Sequence, residues 1–396
     1  MSHTPIRRVA VITEISAIVS VMLANFLAGP APAALASPEQ PVVAFSLAAP
    51  AGVTIDSPWV TDATGLTAWA LGASTTGTGV LARRDLATAT ITTTPTVAGE
   101  VGATEARLHP GSGTIAFLAK RAGLGGRIVT INPTTGTRMS SYDLAATDTA
   151  PRGLGFHPMG VSLYFGSNPG TSVVTKLTTA TGAFSSSVNQ SQSPTTSGIM
   201  YGSKFFTTAG TSAPRLVAFK DSPPIQVDTT TTLTGITQGL VDPILVGTVG
   251  WYGTETAPGR LVGIDFTTRT VVANFPLASD ETGLRNITIP SGSPFAYGTT
   301  VSNGHTKLVT IRLTDGARLG SVDLGTAVGA TSISVSGRYV DVTFSGSTAV
   351  VRLTTAAPPS TPAGLTVTES NGSLGVQWSS VTSEEPLVTY SVTAGN

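Results

Sequence analysis

The chain has 396 residues, with 22 Lys and Arg against 22 Asp and Glu, four His and no Cys, and only 11% of it is charged; an average soluble domain carries roughly 25%. Zero net charge on so few charges leaves no basic footprint for nucleic acid and no polybasic segment for an anionic membrane surface. The lack of cysteine excludes disulfides, Cys-based zinc sites, thiol nucleophiles and iron–sulfur clusters, while 44 Gly and 26 Pro suit short strands joined by many turns.

Residues 1–36 read as an export signal. Arg7 and Arg8 form a short positive region, Ile15 to Ala28 is an apolar run, and Ala34-Leu35-Ala36 supplies a small-x-small cleavage pattern before Ser37. Val9 to Ala28 is long enough to persist as a membrane anchor, but Glu14, Asn25 and the helix breakers Pro30 and Pro32 favour cleavage. The mature chain is therefore expected to be secreted or held at the cell surface, with no membrane span.

A strand pattern of basic or small residue, two aliphatics and a small or polar residue recurs through the mature chain. It begins at Val80, Arg127, Ser172, Arg215, Arg260, Lys307 and Ala349, at intervals of 47, 45, 43, 45, 47 and 42 residues. A period near 45 is the spacing of propeller blades, each a four-stranded antiparallel sheet. Several copies run on into a Thr/Gly turn, as in Asn132-Pro133-Thr134-Thr135-Gly136 and Leu313-Thr314-Asp315-Gly316, which reads as the hairpin between a blade's third and fourth strands. Alternation of apolar and polar residues, without helical periodicity, makes the region all-β.

Ring closure calls for a strand from the other end of the chain. Pro41 to Leu47 is an unassigned strand just after the signal, and as the outer strand of the last blade it would remove an open edge. Residues 41–357 then divide into seven blades, or six if the fourth repeat is set aside, since Lys220-Asp221-Ser222-Pro223-Pro224 replaces its Thr/Gly turn. The region resembles the YVTN-type surface-layer repeat and, more distantly, lactonase-like seven-bladed propellers. The family's Pro-Asp-Gly turn stands here as His109-Pro110-Gly111, His157-Pro158-Met159-Gly160 and Ile289-Pro290-Ser291-Gly292. This resemblance implies a fold rather than an activity.

Beyond the Pro-rich linker 358–363, residues 364–396 hold Gly364-Leu365-Thr366-Val367, a segment ending in Gln377-Trp378, and Tyr390-Ser391-Val392. That order resembles the first strands of a fibronectin type III β-sandwich, here partial, because such a sandwich needs roughly 90–100 residues. In secreted bacterial proteins the resemblance implies a spacer.

No nucleophile elbow, zinc-protease helix, phosphate loop or calcium-loop spacing is present. His109 and His157 hold equivalent turn positions and His305 a hairpin tip, so a structural role is expected and no metal or cofactor site is assigned. Trp59, Trp69 and Trp251 lie in predicted strands and are expected to pack between blades. Segments leading into the first strands gather Glu105, Arg107, Arg152, Gln238 and Arg285, which points to a ligand site at the mouth of the central channel. Arginines there suit an anionic or hydroxylated ligand. The expected function is non-catalytic: a monomeric exported propeller that binds a cell-wall polysaccharide or a surface protein. The alternatives are a secreted hydrolase of polysaccharide or lactone, with Glu105 as its leading carboxylate, and a scaffold without a small ligand. Glycoside hydrolysis needs a second facing carboxylate, which the sequence does not single out.

Overall fold

Seven antiparallel sheets follow one another along the chain in the computed structural model. It describes most of residues 41–354, apart from short internal segments and single positions, and two strands within 366–377. In blade 2, inner to outer, the strands are Glu100–Leu108, Ile115–Arg121, Arg127–Ile131 and Arg138–Asp143. Blades 3 to 6 repeat this order, with inner strands Arg152–Phe156, Gly198–Tyr201, Leu240–Val246 and Thr282–Thr288. The inner edge of blade 1 is split into Val53–Ile55 and Val60–Thr61, which both pair with Thr67–Ser74.

The repeated sequence pattern falls on the third strand of every blade, from Gly79–Asp85 in blade 1 to Ala349–Thr354 in blade 7. The fourth repeat, despite its altered turn, forms a full blade through Arg215–Lys220 and Gln226–Thr232. Seven blades are therefore present. On the rim, Arg138–Asp143 alternates between intermediate and exposed residues, whereas the second strand Ile115–Arg121 opens with five consecutive buried ones. A second or third strand lies between two neighbouring blades, so both of its faces are covered and it reads as a continuous apolar run.

Blade 7 consists of Ala330–Ser336, Tyr339–Phe344 and Ala349–Thr354, completed by Val42–Ala48 from the start of the ring. The closing strand is antiparallel to its neighbour, with Val42 opposite Thr354 and Ala48 opposite Ala349. Both ends of the propeller thus meet in one sheet, and Ala349–Thr354 is paired on both sides. The expected fibronectin sandwich is not visible among the described residues. A two-stranded hairpin, Thr366–Ser370 with Ser373–Gln377, is present, while Trp378 and Tyr390 lie outside the described residues.

The core is divided among the junctions between blades. Trp69 and Leu71 of blade 1 pack on Ile115, Phe117 and Val129 of blade 2, and Phe206 and Leu216 of blade 4 pack on Tyr252, Val262 and Phe266 of blade 5. The junction of blades 7 and 1 is built differently. Arg84 and Arg352 are 0% and 1% exposed, and between them Asp341 accepts hydrogen bonds from Arg352 Nε (2.8 Å) and Nη2 (3.0 Å). Arg84 Nη2 lies 3.0 Å from Asp341 Oδ2 and donates to Ser334 Oγ at 3.1 Å. The guanidinium of Arg84 lies over Trp59, 5.0 Å from the ring centroid, and that of Arg352 over Tyr339, 4.5 Å away. Arg352 Nη1 also donates to the Leu86 carbonyl at 2.7 Å, joining the last blade to the first.

Candidate functional site

The mouth of the central channel holds a cavity of about 400 Å³ lined by Glu105, Arg107, Arg152 and Arg285, together with Asp56, Lys120, Asp242 and Glu255. Four of the five residues expected at the mouth are thus brought together, while Gln238 lies outside the described residues. Four acids face four bases, in a chain of which only 11% is charged. The expected preponderance of arginine gives way to a charge-balanced cavity.

Irregular inner strands carry five of these eight groups, Glu105, Arg107, Arg152, Asp242 and Arg285. The pairing register shifts between Ala103 and Glu105, Arg152 and Gly155, Val241 and Ile244, and on both sides of Arg285. Such bulges turn side chains away from the regular pleat and are frequent beside functional sites. The inner strand of blade 4 has no register shift and supplies none of the described lining residues. Asp242 (φ 50°) and Asn286 (φ 52°) are two of four non-glycine residues with positive φ among the described residues, and both line the cavity. Asp and Asn are the side chains that tolerate this conformation best. Gly153 (φ 75°) takes it in blade 3, where the absence of Cβ lets its amide turn toward Glu105.

Hydrogen bonds at the mouth run from blade to blade. Glu105 Oε1 accepts the Gly153 amide at 2.5 Å and Oε2 accepts the Leu154 amide at 2.9 Å, which ties blade 2 to blade 3. Asp242 Oδ2 accepts the Asn286 amide at 2.9 Å, and Asn286 Nδ2 donates to the Ala330 carbonyl at 2.8 Å, so blades 5, 6 and 7 are joined in series. The Trp59 amide donates to Ser332 Oγ at 3.1 Å across the closing junction. Lys120 and Asp56 pair at 2.7 Å between blades 2 and 1, and Arg285 pairs with Glu255 between blades 6 and 5. Arg107 lies 3.8 Å from Glu105.

Burial pushes the Glu105 carboxyl above its ordinary pKa, and the negative charge of Asp242 adds to that push. Arg107 and the two amides pull the other way without cancelling it. Arg152 is exposed and has no ion pair among the described residues.

Trp59, Trp69 and Trp251 are buried at 4%, 3% and 7% exposure. Trp59 is the one aromatic side chain in the described lining, and the Arg84 guanidinium stacks on it. The histidines stay in the turns: His109 Nδ1 accepts the amides of Gly111 (3.0 Å) and Ser112 (2.8 Å), and His157 Nδ1 accepts that of Met159 at 3.2 Å. His305 Nδ1 lies 2.9 Å from Asp323. Among the described residues no cluster of three or more His, Asp or Glu is arranged to hold a metal ion, and no helix is long and apolar enough to cross a membrane.

Sequence reasoning missed Asp56, Lys120, Asp242 and Glu255. Lys120 sits on a second strand and Glu255 just beyond one, away from the first-strand approaches that strand order places near the axis. The signal that could have found Asp242 is the tripeptide Val241-Asp242-Pro243, a charge and a proline within an apolar strand.

No protein-family model matches the chain, and no curated protein matches it. Solved structures do. The chain is similar to the β-propeller domain of Myceliophteria thermophila Cps50 (Swd1), with a TM-score of 0.59 at 10% identity, covering 78% of this chain and 99% of that one. A chain of a mitotic checkpoint complex gives a TM-score of 0.59 at 10% identity, with 82% and 94% covered. Kuenenia stuttgartiensis hydrazine synthase gives 0.50 at 10% identity, with 61% and 73% covered. At this identity the likeness is one of fold, and propellers carry unrelated functions.

Proposed function

We propose that the protein is an exported, non-catalytic propeller that binds a small polar part of a cell-envelope or extracellular component at its channel mouth, with a C-terminal spacer of the fibronectin type III kind. One observation carries the reading: a cavity of about 400 Å³, lined by four acids and four bases, in a chain this poor in charge. Concave sites with convergent polar groups are where propeller ligands are expected. Balanced charge suits a hydroxylated or zwitterionic ligand better than a simple anion, because Arg107 and Arg285 already face Glu105 and Glu255. Export is supported by the amino-terminal pattern and by the start of the closing strand at Val42, since cleavage after Ala36 leaves that strand whole.

The test is incubation of the full chain with insoluble cell wall and a panel of polysaccharides, measuring pelleted protein and soluble sugar together. Co-sedimentation without sugar release, abolished by Arg152→Ala with Arg285→Ala, is the expected result. No co-sedimentation would overturn the binding reading in favour of a scaffold.

A second reading, a secreted hydrolase of glycosidic bonds or a lactone, draws on Glu105 and Asp242. Burial raises the Glu105 pKa, as a general acid requires, and Asp242 lines the same cavity. Against it, both Glu105 oxygens already accept backbone amides. Sugar release above a heat-treated control, lost in Asp242→Asn, would select this reading.

A further inference from the structure

We infer that the channel mouth takes a small zwitterion the size of a dipeptide, with Arg152 seating its carboxylate and Asp242 its ammonium group. The inference rests on the binding reading above and names the chemistry of the ligand. Six of the eight charged lining groups are matched within the protein, as Lys120 with Asp56, Arg107 with Glu105, and Arg285 with Glu255. These pairs also fasten neighbouring blades or brace the Glu105 strap, so recruiting them to a ligand would loosen the ring. Two charges are left over. Arg152 is exposed at the start of the blade 3 inner strand and has no ion pair among the described residues. Asp242 is half-buried, accepts one backbone amide through Oδ2, and faces no paired cation among the described residues.

The two are of opposite sign, on separate blades, in one cavity. A simple anion on Arg152 would share the cavity with Asp242, Glu105 and Glu255, and like charges in a confined site repel. A simple cation on Asp242 would meet Arg152 in the same way. A ligand with both groups satisfies both residues and leaves the cavity neutral. A guanidinium can grip a carboxylate with two parallel hydrogen bonds, and a carboxylate accepts readily from an ammonium group. An extended dipeptide spans roughly 7 Å, a size that a cavity of about 400 Å³ admits.

The experiment is calorimetric titration of the full chain with L-Ala-L-Ala, its N-acetylated form, its C-terminal amide, and cellobiose as a neutral polyol. The free dipeptide should bind, and each cap should weaken binding at least tenfold. Arg152→Gln should erase the preference for the free carboxylate over the amide. Asp242→Asn should erase the preference for the free amine, and it keeps an acceptor for the Asn286 amide and a side chain that tolerates positive φ. Unchanged melting temperatures would certify both variants as folded. Capped dipeptides that bind as well as the free one would overturn the zwitterion. Binding of cellobiose without the dipeptide would also overturn it while leaving the channel-mouth reading standing, and silence from all four probes at millimolar concentration would remove both.

Discussion

Six of the junctions between blades are packed mainly through apolar side chains, whereas the seventh, between blades 7 and 1, is built around a buried Arg–Asp–Arg cluster. At the other junctions both blades contribute buried hydrophobic side chains, such as Leu118 and Ile128 against Leu163 and Phe165, or Leu261 against Leu284 and Ile311. At the seventh, blade 1 offers an apolar set that includes Val80, Ala82 and Leu86, whereas blade 7 buries Ser332, Ser334, Asp341 and Arg352. Apolar packing is non-directional and fixes distance better than register. A guanidinium–carboxylate contact fixes both, because its hydrogen bonds fail when either partner slides. The charged junction lies where the ring must close through strands far apart in sequence, with Arg352 opposite Phe45 of the closing strand. We read the Arg84–Asp341–Arg352 cluster as a registration device whose contribution is specificity of closure more than net stability, a role that buried ion clusters fill in some proteins and not in others.

The most severe way to break the comparison is to remove the closing strand. A chain lacking Val42–Ala48 leaves Ala349–Thr354 as an open edge, and such edges template association. We expect the cooperative melt seen by circular dichroism to disappear and the protein to associate on gel filtration. A sharp, unshifted transition of a monomer would show that the strand is dispensable.

Asp341→Asn comes next. It keeps the shape but leaves two buried guanidinium groups without a counter-charge, a loss of about 3–5 kcal/mol. Burial lowers the Arg84 pKa to about 10 even with Asp341 beside it, and that carboxylate is what holds the value up, so its removal leaves the burial of Arg84 and the repulsion from Arg352 unopposed. Replacing the whole cluster, by Arg84→Met, Asp341→Leu and Arg352→Met together, should be neutral or stabilising by about 1–4 kcal/mol in urea unfolding. If register is what the cluster supplies, this triple variant melts normally yet forms strand-exchanged dimers that concentration-dependent gel filtration detects. A strictly monomeric triple variant would refute the registration role, and one as unstable as Asp341→Asn would refute the separation of specificity from stability.

A conservative change at an apolar junction should do far less. Ile128→Val removes one buried methylene between blades 2 and 3, and changes of this kind cost about 0.5–1.5 kcal/mol. A loss as large as that of Asp341→Asn would mean that the two kinds of junction do not differ in tolerance.

The propeller was legible because its third strands repeat a short apolar pattern, from Arg127-Ile128-Val129 to Lys307-Leu308-Val309. The closing strand was legible as a leftover strand at the correct end. The charged cluster was not, since Arg84 and Arg352 are far apart in the chain and meet only when the ring closes. Its trace in the sequence is a charge within a buried run, Val340-Asp341-Val342 and Val351-Arg352-Leu353. A charge there belongs to an ion pair, because an unpaired one would not be buried. The channel mouth was half legible. Arg107, Arg152 and Arg285 could be placed near the axis from strand order, but their partners arrive from other strands and other blades. Whether an arginine is free or paired depends on contacts that no linear spacing encodes.

The strap between blades 2 and 3, where Glu105 accepts two backbone amides, gives an effect that pH can resolve. Glu105→Gln keeps the volume but turns one acceptor oxygen into an amide nitrogen, which must face a backbone donor, Gly153 or Leu154. One bond to a buried group is lost, about 1–3 kcal/mol. The pH dependence carries more information. Because burial raises the folded carboxyl pKa, the native state holds its proton more tightly than the unfolded chain. The stability this gives is fully present below the unfolded value, about 4.3, and fades as pH rises through the folded value. Glutamine does not titrate, so the stability gap between wild type and Glu105→Gln should narrow with rising pH, measured by urea unfolding between pH 3.5 and 7.5 as a range of about four units around that value. A gap that widens would mean that Arg107 and the two amides outweigh burial. The strap would then be held by a carboxylate whose pKa is lowered, and the general-acid case for a hydrolase would lose its only support.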